Sequence, residues 1–514
     1  MQHLRVIAQA PHPVGSIAHD CVRDYIVTNL SKLKLDPLIQ TSEVRLPMSQ
    51  DVVKVQNIMA RLEGEGPDEG AVMLMAHYDS VPPSYGASDN GAGVVVLLET
   101  LRALMSGPKL KKDIIFLFSD GEEIGLLGSS AFHRQHKWAT EVELILNFEA
   151  RGSSGPVYMF ETSNNNGSLI MEFARAASHP FANSLSQIVY ENLPNETDLA
   201  VFKQAGYLCL NFAFVDSTHN YHTKNDVLEV IDEGSIQHHG LYAMALTRHF
   251  GNLKLKDFQA EDVIYFDLVG KIVITYSYNM SYMLTNCVLF LFVVILIYRL
   301  KAKECSLRGV VLGIITFILS VVSIVIITAC IHQALILKYT LSDLIEVDSL
   351  YFIAFILLAC SVTSSIYLYL GKWVKMDDLY MGSLLIHLIA LAVVTVYWTA
   401  ASYLLAWPLL FGILGMASKY LYRRSKASER IQFGSIYLSI LPTMVLLLWS
   451  TICVFQGITL FHFTVLMMFI SLCIGFFIPL LNLMSGPYKW LLPAVLMLTS
   501  AITLTIAIAK VKHD

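Results

Sequence analysis

Charged residues are scarce in this chain: Asp, Glu, Lys and Arg make up 15% of its 514 residues, where a soluble globular protein carries about 25%. Together with 55% hydrophobic residues, that deficit excludes an ordinary soluble protein and places much of the chain in lipid. Cysteine is nearly absent from the first half, where only Cys21 and Cys209 of the eight occur. A disulfide-dense secreted scaffold is thereby excluded, and the two cysteines read as small buried side chains rather than a bridge. No basic stripe with interleaved aromatics is present, which excludes a nucleic-acid partner. The net charge of −5 points to no partner. A signal-peptide pattern is missing from Met1-Gln2-His3-Leu4-Arg5-Val6, and the chain opens on what reads as an amphipathic helix of the domain itself. The preferred reading is a shortened product lacking an N-terminal anchor, ahead of translocation directed by the first downstream span. A longer relative could continue past Lys510–Asp514 with another domain.

The apolar residues are not spread evenly. Residues 1–282 mix charges with Pro and Gly turns, as a globular domain does. Apolar runs then follow at 283–300, 309–331, 350–370, 379–399, 402–421, 434–455, 459–481 and 489–509, each near the roughly 20 residues that cross a bilayer as a helix. The expectation is a 283–514 membrane domain of about eight helices, the break near Trp407-Pro408 being the least distinct. Basic clusters at Arg299, Lys301, Lys303 and Arg308, at Lys372 and Lys375, and at Arg423, Arg424, Lys426 and Arg430 fall on one side under that count. Short basic loops stay cytoplasmic, so residues 1–282 are expected in the lumen or outside the cell. Sequons at Asn29, Asn166, Asn195 and Asn279 agree with a glycosylated lumenal side. His387 and His462 lie inside spans and read as packed between helices, and no acid lies near a span centre. That argues against a proton-coupled transporter and for an anchor or partner-binding module.

Within residues 1–282, strands alternate with helices. Ala71–Ala76, Ile114–Phe118, Val142–Leu146 and Leu208–Phe214 read as buried strands, and Val94–Ala103 as a helix. That rhythm predicts an α/β fold with a mostly parallel mixed sheet flanked by helices. His77, Glu122, Glu123 and Glu149 each follow a strand end, the edge where open α/β sheets bind ligands. Asp89 opens a helix, and His222 lies in a later loop. Two His and three carboxylates suit two zinc ions when one carboxylate bridges them. Glu122, beside Glu123, would then be free to move protons. Taken singly, each residue has an ordinary use. Asp89 could cap a helix, His77 could be a hydrogen-bonded strand-end histidine, and Glu122-Glu123 could favour a helix start. Glu149 could pair with Arg151, and His219 competes with His222. Their joint order and placement at strand ends favour the metal centre.

The segments HYDS, SDNGAG, DGEEIGLLGS, NFEARG and YHTKND resemble, in this order, the di-zinc aminopeptidase family of metallopeptidases. The multi-span tail is similar to its membrane-anchored branch, the endoplasmic reticulum metallopeptidases and fungal vacuolar membrane proteases. The resemblance covers roughly residues 1–250 and implies a zinc-aminopeptidase-like domain with two Zn2+ per chain acting on peptide substrates. It implies Asp89 as bridging ligand, His77 and Glu149 completing one site, and Glu123 and His222 the other. Glu122 would be the general base, Asp79 would orient His77, and Tyr221 would donate its hydroxyl to the oxyanion. Asp198 matches a position near the substrate pocket. Arg151 stands where the family has a small residue, which brings a cation toward a substrate carboxylate. The expected location is the endoplasmic reticulum membrane, with a vacuolar or lysosomal membrane as the alternative. A non-catalytic receptor or scaffold, and a glutaminyl-cyclase-like acyltransferase, are the competing functions.

Overall fold

The computed structural model describes residues 1–46, 51–66, 70–256, 258–340, 344, 347–424, 429–457, 463–483 and 486–511. The chain divides into two compact units, Met1–Ser277 and Tyr278–Asp514.

The first unit is built on a sheet of eight strands: β1 (Leu38–Arg45), β2 (Val52–Leu62), β3 (Ala71–His77), β4 (Asp113–Ser119), β5 (Val142–Ala150), β6 (Ser154–Thr162), β7 (Phe181–Ala182) and β8 (Leu208–Asp216). Their spatial order is β1-β2-β4-β3-β5-β8-β6-β7. The central four, β4, β3, β5 and β8, are mutually parallel. Antiparallel β2 and β6 flank them, so the sheet is mixed with a parallel centre, as the sequence rhythm predicts.

The apolar run of β3 is continuous because both its faces are covered. Val72, Leu74 and Ala76 enter one core with helices Ile17–Lys32, Gly93–Met105, Gly167–Ala176 and Glu233–Phe250. Ala71, Met73 and Met75 alternate onto the other face, against Phe132 of helix Leu127–Gln135 and Phe202 of helix Leu199–Gln204. With side chains locked on both faces, the carboxyl ends of β3, β4 and β5 form one fixed edge.

Three expectations need adjustment. Cys209 is buried, but Cys21 is exposed on the outer face of its helix, and the two are unbridged. Asn166 is buried, and its Oδ1 accepts the Val263 N–H at 3.2 Å, so this sequon is taken up by the fold. The opening segment forms only a short helix, Leu4–Ile7, before Ile17–Lys32.

Among the described residues of the second unit, five helices are long and apolar enough to cross a bilayer: Tyr278–Lys301, Leu307–Ile336, Asp348–Leu370, Met376–Tyr397 and the segment Tyr488–Val511. Shorter apolar stretches occupy Tyr403–Ser418, Ile440–Phe455 and Phe463–Gly475. The expected span 459–481 is divided, since helix Phe463–Gly475 gives way to a tighter turn at Ile478–Leu483. A 13-residue helix reaches about 20 Å, short of the roughly 30 Å hydrocarbon core. Pro408 lies inside helix Tyr403–Arg424 rather than in the preceding break. His387 is buried, its Nδ1 hydrogen-bonded to the Ser383 carbonyl at 2.7 Å and its Nε2 to that of Leu472 at 2.9 Å, a packing role. His462 and Lys426 lie outside the described residues.

Candidate metal centre

His77 is the last residue of β3 and is buried. Its Nδ1 lies 3.0 Å from the Asp79 carbonyl. A carbonyl only accepts, so Nδ1 carries hydrogen and Nε2 of the neutral ring presents its lone pair. That Nε2 stands 3.3 Å from Asp89 Oδ1 and 3.4 Å from Glu149 Oε2. The Asp79 carboxylate, expected to orient this ring, sits at 3.5 Å from Nδ1. Its stronger contacts go elsewhere. Its oxygens accept the N–H groups of Glu122 at 3.2 Å and Glu123 at 3.3 Å, so Asp79 holds the turn after β4 on which both glutamates ride.

Asp89 belongs to the irregular turn Ala87–Ala92, ahead of helix Gly93–Met105. Its Oδ1 faces His77, and its Oδ2 lies 3.1 Å from His222 Nε2. Each oxygen thus addresses a different histidine. A Cβ on Gly93 would come within 2.4 Å of Asn90 Oδ1 and 2.6 Å of the Phe148 carbonyl, so only glycine lets this turn close on the end of β5. There Glu149 is fixed through both oxygens, Oε1 accepting from Asn147 Nδ2 and Oε2 from Asn90 Nδ2, each at 3.0 Å.

Glu123 Oε2 lies 3.2 Å from His222 Nε2. His222 itself has φ 58, in the left-handed region that costs a non-glycine residue free energy and that functional sites retain. Tyr221 stacks on the His222 ring at 3.8 Å. His219 sits in the short turn Thr218–Asn220 and joins none of the metal-capable groups among the described residues. Asp198 is buried next to β4, with Ser119 Oγ donating to its carboxylate.

Among the described residues, three groups of side chains could each hold a cation: His77, Asp89 and Glu149; His77, Glu122 and Glu123; and Asp89, Glu123 and His222. All five sequence-expected ligands are brought together, and Asp89 is common to the first and last groups. The histidine and carboxylate donors that face each other stand 3.1–3.4 Å apart. That matches the edge of a tetrahedron with bonds of roughly 2.0–2.1 Å, about 3.3–3.4 Å. Buried Glu123 Oε1 and His222 Nε2 have no hydrogen-bond partner. No lysine or arginine pairs with these carboxylates among the described residues. The donor set therefore fits zinc, and the charge it gathers calls for a cation.

The electrostatics show the same strain. Burial pushes the Glu122 carboxyl well above its ordinary value, and neighbouring Glu149, Asp198 and Glu123 add to this. Glu123 is raised to about 7 by burial and by Asp89, and Asp198 to about 7, chiefly by burial. Burial opposes charge on Asp89 too, but His222 and His77 outweigh it and hold that carboxyl low. His222 is raised to about 10: burial acts against it, but Asp89 and Glu123 prevail. Side-chain exposure is 1% for His77 and 38% for His222, so the centre opens on the His222 side.

Sequence reasoning left three working residues unassigned. Asp226 accepts the N–H of Ser88 at 2.8 Å and of Asp89 at 3.1 Å, and Asn90 and Asn147 hold Glu149. All three lie in segments already singled out, SDNGAG, NFEARG and YHTKND; the available signal was a polar residue repeated beside each ligand.

Residues 57–247 match the family model described as Peptidase family M28. The vacuolar membrane protease of Eremothecium gossypii is 30% identical over 307 residues, covering 56% of this chain and 30% of its own length. Endoplasmic reticulum metallopeptidase 1 of Mus musculus is 32% identical over 230 residues, covering 43% of this chain and 26% of its own. The matched segments thus span less than a third of those relatives. Among solved structures, a zinc aminopeptidase from Bacillus subtilis aligns at 19% identity and a TM-score of 0.39, covering 48% of this chain and 94% of its own. Over residues 57–247 the chain is therefore similar to peptidase family M28, and it shares that likeness with a vacuolar membrane protease and an endoplasmic reticulum metallopeptidase.

Proposed function

We propose that this chain is a membrane-anchored, zinc-dependent exopeptidase in which Glu122 acts as general base. The observation that carries the reading is Asp89, whose two carboxylate oxygens face two separate histidines, His77 and His222. In this reading His77 and Glu149 would hold one ion and Glu123 and His222 the other, with Asp89 shared. Zinc, when bound, lowers the pKa of coordinated water and polarises the scissile carbonyl. Glu122 takes the proton from the attacking water and delivers it to the leaving amine. Burial and the surrounding carboxylates raise the Glu122 carboxyl, which suits a group that must give its proton back to the leaving amine. Asp79 keeps Glu122 in register through its backbone N–H, and Tyr221, stacked on His222, supplies a hydroxyl to the oxyanion.

The peptidase unit is assigned to the lumenal side, of the endoplasmic reticulum or of a vacuolar membrane. The support is the basic cluster Arg299, Lys301, Lys303 and Arg308 following the first apolar helix, together with the names of the relatives. The test is hydrolysis of a panel of N-terminally free and N-terminally blocked peptides by the zinc-loaded full chain. Cleavage of free but not blocked peptides supports aminopeptidase action, and the reverse supports carboxypeptidase action. Bound zinc without hydrolysis of any peptide would overturn the reading, and absence of bound zinc would favour the scaffold.

A further inference from the structure

Arg151 stands one residue beyond β5 and two beyond Glu149. It opens the bend that follows the strand's carboxyl end, the edge of the sheet at which His77 and Glu149 lie. Glu149, the obvious ion-pair partner, is not available to it: its oxygens are taken by Asn90 and Asn147, and Oε2 also faces His77. Among the described residues the half-buried Arg151 guanidinium has no hydrogen bond or ion pair of its own.

The backbone beneath this side chain is tied down. Arg151 N–H donates to the Phe214 carbonyl at 3.1 Å, and Ser153 N–H to that of Asp216 at 2.9 Å. A Cβ on Gly152 would lie 2.1 Å from the Asp216 carbonyl, so the turn presses against the end of β8. Asn220 Nδ2 donates to Ser153 Oγ at 2.8 Å, joining this turn to the loop that continues into Tyr221 and His222. In that loop the Tyr221 ring stacks on that of His222 at 3.8 Å. A rigid base thus carries a planar, bidentate donor, without a partner among the described residues, in a turn tied to the loop of His222, the more exposed histidine of a carboxylate-rich site.

We propose that Arg151 anchors a carboxylate of the substrate, making this turn a subsite for peptides that bear a carboxylate close to the scissile bond. The inference rests on the peptidase reading for its substrate class. Two sources of carboxylate are possible: an acidic side chain, and the free C-terminus of a very short peptide.

The experiment uses the zinc-loaded full chain and two matched substrate pairs. One pair exchanges Glu for Gln beside the scissile bond in a C-terminally amidated peptide. The other exchanges a free for an amidated C-terminus in an uncharged dipeptide. One pair is expected to show a ten- to hundred-fold preference for the carboxylate, roughly the worth of a charge-assisted bidentate contact. The preference is expected mainly in KM, to fall to within about twofold in Arg151→Gln, to survive in part in Arg151→Lys, and to persist in the exposed control Arg102→Gln. Calorimetric binding of the same pairs to Glu122→Gln protein reads the anchor without turnover. Arg151-dependent discrimination in binding with no hydrolysis by the parent chain would sink the peptidase reading and leave this subsite standing. Hydrolysis with equal rates and affinities for both members of each pair, or discrimination unchanged in Arg151→Gln, would overturn it, as would failure of every peptide to bind.

Discussion

Asp226 accepts the backbone N–H of Asp89 at 3.1 Å, joining two loops 137 residues apart in sequence. The same carboxylate takes the Ser88 N–H at 2.8 Å, and it lies four residues after His222 in the segment YHTKND. One residue thereby registers the loop of Asp89 against the loop of His222.

Asp226→Asn should loosen that registration without unfolding the sheet, because the parallel core does not depend on it. Loss of a group that orients ligands typically weakens metal binding about 10- to 100-fold. Competition with a zinc chelator, on protein whose circular dichroism is unchanged, measures this. Unaltered affinity would show that the two loops are held by other contacts.

The adjacent glutamates should separate cleanly. Glu122→Gln is expected to keep its zinc while turnover drops about a hundred- to ten-thousand-fold, the usual contribution of a positioned base. Glu123→Gln, whose Oε2 faces His222 at 3.2 Å, should lose zinc as well as rate. Metal analysis alongside kinetics distinguishes them; equal zinc loss in both would make Glu122 a ligand rather than a base.

Of the two histidines in the loop after β8, only His222 approaches Asp89 and Glu123. His222→Ala should therefore bind at least one zinc equivalent fewer, while His219→Ala retains the full complement. Elemental analysis of both purified variants decides between them.

His239 gives a pH prediction away from the centre. It is buried in helix Glu233–Phe250, with the rings of Phe148 and Phe214 at 5.3 and 5.5 Å, and burial lowers its pKa to about 3. The unfolded chain takes up this proton near pH 6.5 and the folded chain does not. The neutral ring therefore stabilises the fold fully above that pH, and the contribution is lost as pH falls toward 3. At pH 5 the loss amounts to about 2 kcal/mol. Hydrogen exchange in the helix at pH 7.5 and pH 5 should show acid weakening in the parent chain and much less in His239→Phe.

The parallel strands were legible because each is an unbroken apolar run, the mark of a strand covered on both faces, and because His77 and Glu149 end two of them. The sheet's antiparallel margins were not, since β1 and β2 carry mixed patterns. Asp226, Asn90 and Asn147 were hidden for a different reason. Asp226 and Asn90 reach partners 137 and 59 residues away in sequence, and for Asn147, two residues from Glu149, closeness in sequence says nothing about the direction of a hydrogen bond. Asp79 was assigned to His77 by spacing, but the ring meets its carbonyl and its carboxylate turns to the Glu122-Glu123 amides. In the second unit hydropathy located the apolar runs; the break after Gly475 was invisible because the residues that follow are equally apolar.

The central claim is that Asp89 is shared between two zinc ions, and zinc stoichiometry tests it most directly. The purified full chain, saturated with zinc and freed of excess, should hold two equivalents per chain, falling to one or none in Asp89→Asn. A single equivalent in the parent chain, or two equivalents that survive Asp89→Asn, would contradict it.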